Sequence, residues 1–337
     1  MSARWRLSLL TRVYAASPDS RVLDETLALI EAAEALGYHG AWVAQHHFGR
    51  ESGRLPSPLV LLAAAARRTR RIALGSAVIV LPLETPLRLA EDAAVLDALS
   101  GGRLQLGFGA GFEREVFEAF GRDYDRRAQD QAASLDLLQR AFEGVPLGEG
   151  AATLQPPAPA LPARIWLATG EAEAAARRGH GLIVARIREQ AEADLIARYR
   201  NAWRQAAAPR VALARAVVPG AGRAAVEAAL APDILRYAAR LAQANGTPPP
   251  AVTELPALLD RLGVLRGTPD EIAAALGADP ALPGITELVV QVQTFGTPFA
   301  EALRRIESVA RDVVPALGWA PAPAAAAASF HFDPLPT

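Results

Sequence analysis

The chain has five histidines, and two of them, His46 and His47, stand side by side. They follow the apolar segment Gly40–Ala44, which is predicted to be a β-strand. Adjacent strand residues point to opposite faces, so the pair is not expected to hold one metal ion. A metal-dependent barrel hydrolase would need two histidines one residue apart together with carboxylates, a spacing that the chain lacks. Acid–base chemistry by one of the two is the functional interpretation, and a hydrogen-bonded core histidine is the structural one.

A run of glycines follows another predicted strand. Gly107, Gly109 and Gly111 alternate after Leu104 and leave bare backbone where α/β folds bind ligands. Such backbone could lie against a flat ring or a phosphate, or it could be a tight strand exit with packing glycines. The spacing fits the first two glycines of a dinucleotide-binding fingerprint, but Phe112 occupies the third position. No nicotinamide site is therefore predicted.

A third candidate is the turn at Thr169 and Gly170, between a predicted strand and a short predicted helix. Backbone N–H groups and the helix dipole could hold a phosphate there. An ordinary strand-to-helix turn is the commoner outcome for such a pair. Three arginines are close in sequence, Arg186 among them, and each could be a phosphate partner or a solvated surface charge.

The elements that must position these residues are eight predicted strands alternating with helices. The strands are predicted at Arg6–Thr11, Gly40–Ala44, Ile72–Leu81, Leu104–Phe108, Ile165–Ala168, Leu182–Arg186, Val211–Val218 and Glu287–Val292. The third is apolar on both faces, as buried parallel strands are. The pattern predicts an α/β fold of the (β/α)8 TIM-barrel type, and an open doubly wound sheet is the alternative. Ala221–Leu265 is predicted to be a helical and irregular insertion between strands seven and eight.

The helix between the third and fourth strands has clear start and stop signals. Thr85 precedes Pro86, which suits an N-cap followed by proline in the first turn. Gly101 and Gly102 are expected to end the helix because glycine accepts the left-handed conformation. The barrel is predicted to occupy residues 1–319, followed by an Ala/Pro-rich tail at residues 320–337.

Composition limits the classes of partner. The 337 residues are 51% hydrophobic and 21% charged, enough for a large core. The net charge is −1 without a basic block, so nucleic acid and anionic membranes are not expected partners. No apolar run reaches membrane-spanning length, no signal peptide is expected, and a cytoplasmic protein is predicted. There are no cysteines, which removes disulfides, zinc–thiolate sites and iron–sulfur clusters.

Several segments resemble the bacterial luciferase-like flavin monooxygenases. Ala41–Phe48 and Leu74–Pro82 resemble strands two and three of that family. The resemblance continues at Pro86–Asp92, Leu96–Leu104, Phe117–Gly121, Ile165–Ala168, Gly267–Glu271 and Leu288–Gln293. Together these segments extend the resemblance over most of the chain, to about residue 317.

The resemblance implies a (β/α)8 barrel that binds FMN at its C-terminal face. It implies a monooxygenase that uses reduced FMN from a separate reductase and O2, through a flavin C4a-peroxide, on a small organic substrate that the sequence does not identify. A deazaflavin-dependent oxidoreductase on the same barrel and a non-catalytic flavin-binding subunit are the alternatives. Pairing into a homodimer is also implied, and the helices Pro58–Thr69 and Pro86–Leu99, rich in Ala and Leu all round, favour it.

The resemblance also assigns site residues. His46 matches the histidine near the reactive edge of the flavin and would be catalytic. The Ala77–Val78 bond matches a non-proline cis peptide beneath the flavin ring. Further cofactor contacts are implied for Gln45, Gly109, Ala110, Gly111, Ala168, Thr169, Gly170 and Arg186. Gln45 stands where many members have Glu, Ala110 where some have a phosphate-binding arginine, and the loop after Thr169 is shorter than in the family.

One segment of the insertion is predicted to be a mobile lid over the site. Asn245–Leu255 combines Asn-Gly with three consecutive prolines, and long irregular segments of barrels often cover active sites.

Overall fold

Short apolar strands alternate with helices throughout the chain. The structure, a computed structural model, describes residues 5–14, 19–48, 53–185, 192–244 and 251–321. The strands are β1 Arg6–Thr11, β2 Gly40–Val43, β3 Ala73–Ser76, β4 Ile79–Val80, β5 Leu104–Gly109, β6 Ile165–Ala168, β7 Gly181–Val184, β8 Val211–Pro219, β9 Val264–Gly267 and β10 Glu287–Gln291. The helices are α1 Asp19–Ala35, α2 Pro58–Arg68, α3 Pro86–Ser100, α4 Arg114–Ala119, α5 Arg127–Phe142, α6 Ala172–Arg177, α7 Glu192–Ala202, α8 Arg223–Ala244, α9 Leu255–Arg261, α10 Pro269–Gly277 and α11 Phe299–Ser308.

Eight of these strands close into a parallel barrel. The order is β1, β2, β3, β5, β6, β7, β8 and β10, and β10 pairs with both β8 and β1. Parallel neighbours need a crossover connection, and the helices supply it on the outside. This confirms the predicted (β/α)8 TIM barrel over the doubly wound alternative.

The third predicted strand, Ile72–Leu81, is two strands, β3 and β4, because the ladder is interrupted between them. The Ala77 N–H still bonds to the Val43 carbonyl at 2.8 Å, but the Val80 N–H bonds to the Gln45 side-chain oxygen at 2.7 Å. A side chain thus replaces a strand neighbour here. The peptide bond between Ala77 and Val78 is cis, which confirms that prediction.

Two packed tryptophans occupy the barrel interior. Trp42 and Trp166 pack edge to face with ring centroids 5.5 Å apart. The Trp42 indole N–H donates to Glu287 Oε1 at 2.7 Å, and burial raises the pKa of that carboxyl. Because the centre is packed, a ligand site is expected at the C-terminal strand ends.

The predicted insertion is an ordered unit with its own apolar core. It consists of α8, a 3-10 turn at Val252–Glu254, α9 and β9, and sequence reasoning missed β9. Its core cluster contains Val218, Val226, Leu230, Leu255 and Leu259. The guanidinium of Arg266 bonds to Glu227 and Asp260 at 2.7–2.8 Å and joins the helices to β9.

The predicted helix ends are confirmed where the sequence signals were strongest. Thr85 is the N-cap of α3, and Gly101 ends it at φ 66°. The last helix, α11, is followed by a π-helical turn and a 3-10 turn. Of the predicted tail, only residues 320 and 321 are described. Among the helices that the structure describes, none is long and apolar enough to cross a membrane.

Candidate active site

The C-terminal ends of β3 and β6 form a small, half-buried apolar surface. Ala77, Val78 and Ala168 keep partial exposure there while they pack on the tryptophans of the barrel interior. We call these three residues the floor. Their side chains are small or medium-sized, so space remains above them at the mouth of the barrel. The structure thus brings together residues that the sequence had assigned to two separate strands.

The glycine run beside the floor is explained by packing. A Cβ atom on Gly107 would lie 2.0 Å from the Ser76 carbonyl oxygen, and one on Gly109 would lie 2.8 Å from a methyl group of Val78. Gly111, at φ 79°, faces the side chain of Val80. The fold itself therefore requires these glycines, and Gly109 also adjoins Val78 and Ala168 of the floor.

Gln45 holds the backbone that follows β3. Its amide nitrogen donates to Glu84 at 2.8 Å and to the Pro56 carbonyl at 3.1 Å, while its oxygen accepts from Val80. The side chain is only 7% exposed. Both ends of this amide are thus engaged within the protein, and its direct effect is to fix the segment that carries the floor.

His46 packs against Gly53 and Leu55, which follow it along the chain. The backbone N–H of His46 donates to the Leu55 carbonyl at 2.8 Å, and a Cβ atom on Gly53 would lie 2.6 Å from the Nδ1 atom of the His46 ring. Gly53 has φ 149° and is a residue that sequence reasoning missed. Burial, followed by the nearby positive charge of Arg12, lowers the pKa of His46 to about 4. The imidazole is therefore neutral at pH 7, and its buried Nδ1 has no hydrogen-bond partner among the described residues.

His47 has a different environment, as the alternation of strand side chains predicts. Its ring packs against Phe120, with centroids 4.7 Å apart, and against Phe48. Burial lowers its pKa, and the negative charge of Glu84 opposes that shift. The contacts of His47 are with an aromatic cluster.

The predicted phosphate side has open backbone. The Thr169 hydroxyl accepts the Glu171 N–H at 3.0 Å, and nothing lies within 4 Å of a Cβ atom built on Gly170. Arg178, one of the three arginines near this turn in the sequence, forms an ion pair with Asp136. Arg186, the arginine assigned to the cofactor from sequence, lies outside the described residues.

A cavity of about 400 Å³ opens beside the floor, between β8 and the insertion. β8 runs beyond the end of β7, and on that side Ala216–Pro219 pairs with β9 instead. The apolar wall of the cavity includes Leu10, Val218, Leu230, Ile234 and Val264. The polar wall includes Arg12, Tyr14, Asp233, Arg236, Tyr237 and Gln291.

Helix α8 of the insertion covers the cavity and is tied to the loop after β10. The Asp233 carboxylate accepts the Thr294 hydroxyl and the Gly296 N–H, both at 2.6 Å. The Phe295 ring lies against the guanidinium of Arg236, 5.1 Å from its centroid. The predicted lid Asn245–Leu255 lies outside the described residues up to Pro250, and its last residue, Leu255, is buried at the start of α9.

The floor and the cavity meet at the end of β1. Leu10 packs on the same buried cluster as the floor and also lines the cavity. Arg12, two residues on, lines the cavity and acts electrostatically on His46. Sequence reasoning did not select Arg12 or the residues of α8, because their distance along the chain conceals that they share one cavity. Within the described ranges, no group of three or more His, Asp or Glu side chains is placed to hold a metal ion.

Comparison with known proteins identifies similarity over nearly the whole chain. A family model described as luciferase-like monooxygenase matches residues 5–311. A curated relative, the 4-hydroxyprotoasukamycin monooxygenase of Streptomyces nodosus subsp. asukaensis, is 40% identical over 118 residues, which cover 35% of this chain and 32% of that protein. The chain spans about half the length, or less, of the first curated relatives it matches.

Solved structures share the fold over more of their length. The monooxygenase RslO1 of Streptomyces bottropensis superimposes with a TM-score of 0.75 at 26% identity, covering 92% of this chain and 99% of that one. An FMN complex of the oxygenating constituent of a diketocamphane monooxygenase from Pseudomonas putida has a TM-score of 0.71 at 17% identity, covering 94% and 99%. A coenzyme F420-dependent reductase from Methanopyrus kandleri has a TM-score of 0.66 at 19% identity, with the same coverage of both chains. The last two similarities concern the fold.

Proposed function

The chain belongs to the luciferase-like monooxygenase family, and we propose that it is a flavin-dependent monooxygenase that acts with reduced FMN and O2 on a small organic substrate. A separate flavin reductase would supply the reduced flavin, since no nicotinamide fingerprint is present in the sequence. The observation that carries the proposal is the floor of Ala77, Val78 and Ala168 beside the neutral His46.

The floor fits the flat face of a flavin ring. Its three side chains are partly exposed, apolar and backed by a packed tryptophan pair, so a ring would bury apolar surface without displacing the protein. The backbone at Gly109 to Gly111 would border the ring. Gln45 would contribute by holding the segment between Ala77 and Val80 in position.

The phosphate side has fewer groups suited to its ligand. Ala110 provides no charge, and the Thr169 hydroxyl already accepts a bond from Glu171, although a hydroxyl can still donate. The backbone around Gly170 is open and would accept a phosphate from above. We propose that Ala168, Thr169 and Gly170 form the phosphate side, together with Arg186, as expected from sequence.

Bound reduced flavin would supply the electrons that activate O2. His46 would move a proton at the edge of the ring, because an imidazole that is neutral at pH 7 can accept a proton or, in its N–H form, donate a hydrogen bond. Helix α8 and the loop after β10 enclose the neighbouring cavity and would exclude water from the reacting atoms. The organic substrate would occupy that cavity.

A homodimer is proposed through the outer surface of α2 and α3. These two helices contact each other and carry exposed apolar side chains, including Val60 at 73% and Val95 at 47% exposure. Leu87 and Leu99 are exposed on the same helix as Val95. A neighbouring subunit would cover this apolar surface.

The test is titration of the protein with FMN in oxidised and reduced form, followed by mixing of the reduced complex with oxygenated buffer in a stopped-flow spectrometer. Ala168→Leu should weaken flavin binding at least tenfold by filling the floor, whereas Ala128→Leu, on the exposed surface of α5, should not change it. A parallel titration with a deazaflavin tests the alternative oxidoreductase. Tighter binding of the deazaflavin and no reaction with O2 would contradict the monooxygenase proposal.

A further inference from the structure

The cavity beside the floor has an apolar side and a charged side. Three arginines line it, and they differ in how their charge is balanced. Arg215 bonds to Glu192 at 2.6 Å and to Asp279 at 2.8 Å. Arg236 bonds to Asp233 at 2.7 Å. These two guanidinium groups therefore already have carboxylate partners.

Arg12 has none within the part of the chain that the structure describes. Its side chain hydrogen-bonds to the Tyr14 phenol, and its charge acts on His46. Among the described residues that line the cavity, the only acidic side chain is that of Asp233, and it is held by Arg236, Thr294 and Gly296. A positive charge at a cavity wall thus faces the space without an ionic partner in these residues, and an anion that enters the cavity would supply one.

The backbone fixes the position of Arg12. The Thr11 hydroxyl donates to Gln293 at 3.0 Å and accepts the Val13 N–H at 3.0 Å. Val13 is fully buried and has φ 57°, an uncommon conformation for a β-branched residue. Conformations of this kind persist where the surrounding structure determines them, and they are frequent beside ligand sites.

We propose that the cavity binds an organic anion, whose carboxylate or other acidic oxygen lies on Arg12 and whose apolar body lies along Val218, Leu230 and Val264. An arginine donates two parallel hydrogen bonds to a carboxylate, which adds both affinity and orientation. Tyr14 and Tyr237 line the same wall and supply further polar contacts. That this anion is the substrate of oxygenation rests on the proposed function. The selection of an anion by the cavity does not depend on the proposed function.

The probes are 2-naphthoate and 2-naphthamide, which match in shape and differ in charge. Both are titrated into the full chain, without flavin, by calorimetry at pH 7. The naphthoate is expected to bind about 10- to 100-fold more tightly than the amide, as a charge-assisted hydrogen bond implies. Arg12→Met should remove the difference, and Arg12→Lys should retain part of it. The control is Arg21→Met, which removes an equal charge from a residue whose side chain is 72% exposed.

Two kinds of result would overturn the inference. Equal affinity for the two probes in the wild type, or no binding of naphthoate at millimolar concentration, would show that the cavity does not select anions. A preference that survives in Arg12→Met would show that another residue carries it. FMN titration of the same proteins is the separate readout of the proposed function: a loss of FMN affinity in Arg12→Met, with the naphthoate preference intact, would place Arg12 at the flavin and also contradict the inference.

Discussion

The neutral state of buried His46 has a consequence for stability that can be measured without any ligand. In the folded protein its pKa is about 4, against a usual value of 6.5, mainly because burial disfavours the charged form. As the pH falls below about 6.5, the unfolded chain binds a proton at this residue and the folded chain does not. The contribution of His46 to stability is therefore complete above that pH and is lost as the pH falls towards 4. Between pH 7 and pH 5 the loss from one such group is about 2 kcal/mol.

The assay is urea unfolding of the wild type and of His46→Gln at pH 7 and pH 5. The wild type should lose more unfolding free energy over this interval than the variant, by about 2 kcal/mol. His39 and His180 have pKa values lowered to about 4 as well, so only the difference between the two proteins isolates His46. Arg12→Met should reduce the acid-induced loss, because the charge of Arg12 helps to lower the pKa of His46. An equal loss in wild type and His46→Gln would refute the reasoning.

The remaining predictions concern turnover, backbone packing and assembly. His46→Ala should keep flavin affinity but lower the single-turnover rate of reduced FMN with O2, measured by stopped flow, by about 10²- to 10⁴-fold. His47→Ala should mainly lower the unfolding free energy, measured by urea unfolding. The opposite pattern would assign the catalytic role to His47. Gly107→Ala should lower the unfolding free energy by several kcal/mol or prevent folding, since the new Cβ atom would lie 2.0 Å from the Ser76 carbonyl oxygen. Gly170→Ala, where the space is open, should change the unfolding free energy by less than about 0.5 kcal/mol. Light scattering at micromolar concentration should give the mass of a dimer, and a monomer would contradict the role proposed for the exposed side chains of α2 and α3.

The barrel was predictable because each unit carries its own local signals. Strands such as β5 and β6 read as short apolar runs, and α3 and α10 begin at a threonine followed by proline. The break between β3 and β4 was not visible in the apolar pattern of Ile72–Leu81, because it depends on a hydrogen bond from Val80 to the distant Gln45 side chain. Contacts of this kind follow from the tertiary fold.

The same limit applies to the candidate site. The neighbourhood of His46, Ala77 and Ala168 follows from their common position at C-terminal strand ends. The glycine run, which could have served either ligand binding or packing, has a packing explanation at Gly107. The cavity had no signal in the sequence, since its walls come from β1, β8, α8 and the loop after β10, which lie far apart along the chain.

Residues at the end of β1 connect the floor with the cavity. Leu10 shares the buried cluster beneath the floor and lines the cavity, so we expect a ring on the floor and a molecule in the cavity to be neighbours. Arg12 acts on both sides, because its charge lowers the pKa of His46 and also faces the cavity. An anion bound to Arg12 would offset that charge and raise the pKa of His46 from its value in the empty protein. By linkage, protonation of His46 and binding of the anion favour each other. Naphthoate affinity should therefore rise as the pH falls from 7 to 5, a range in which the carboxylate stays largely ionised, and this rise should be smaller in His46→Gln.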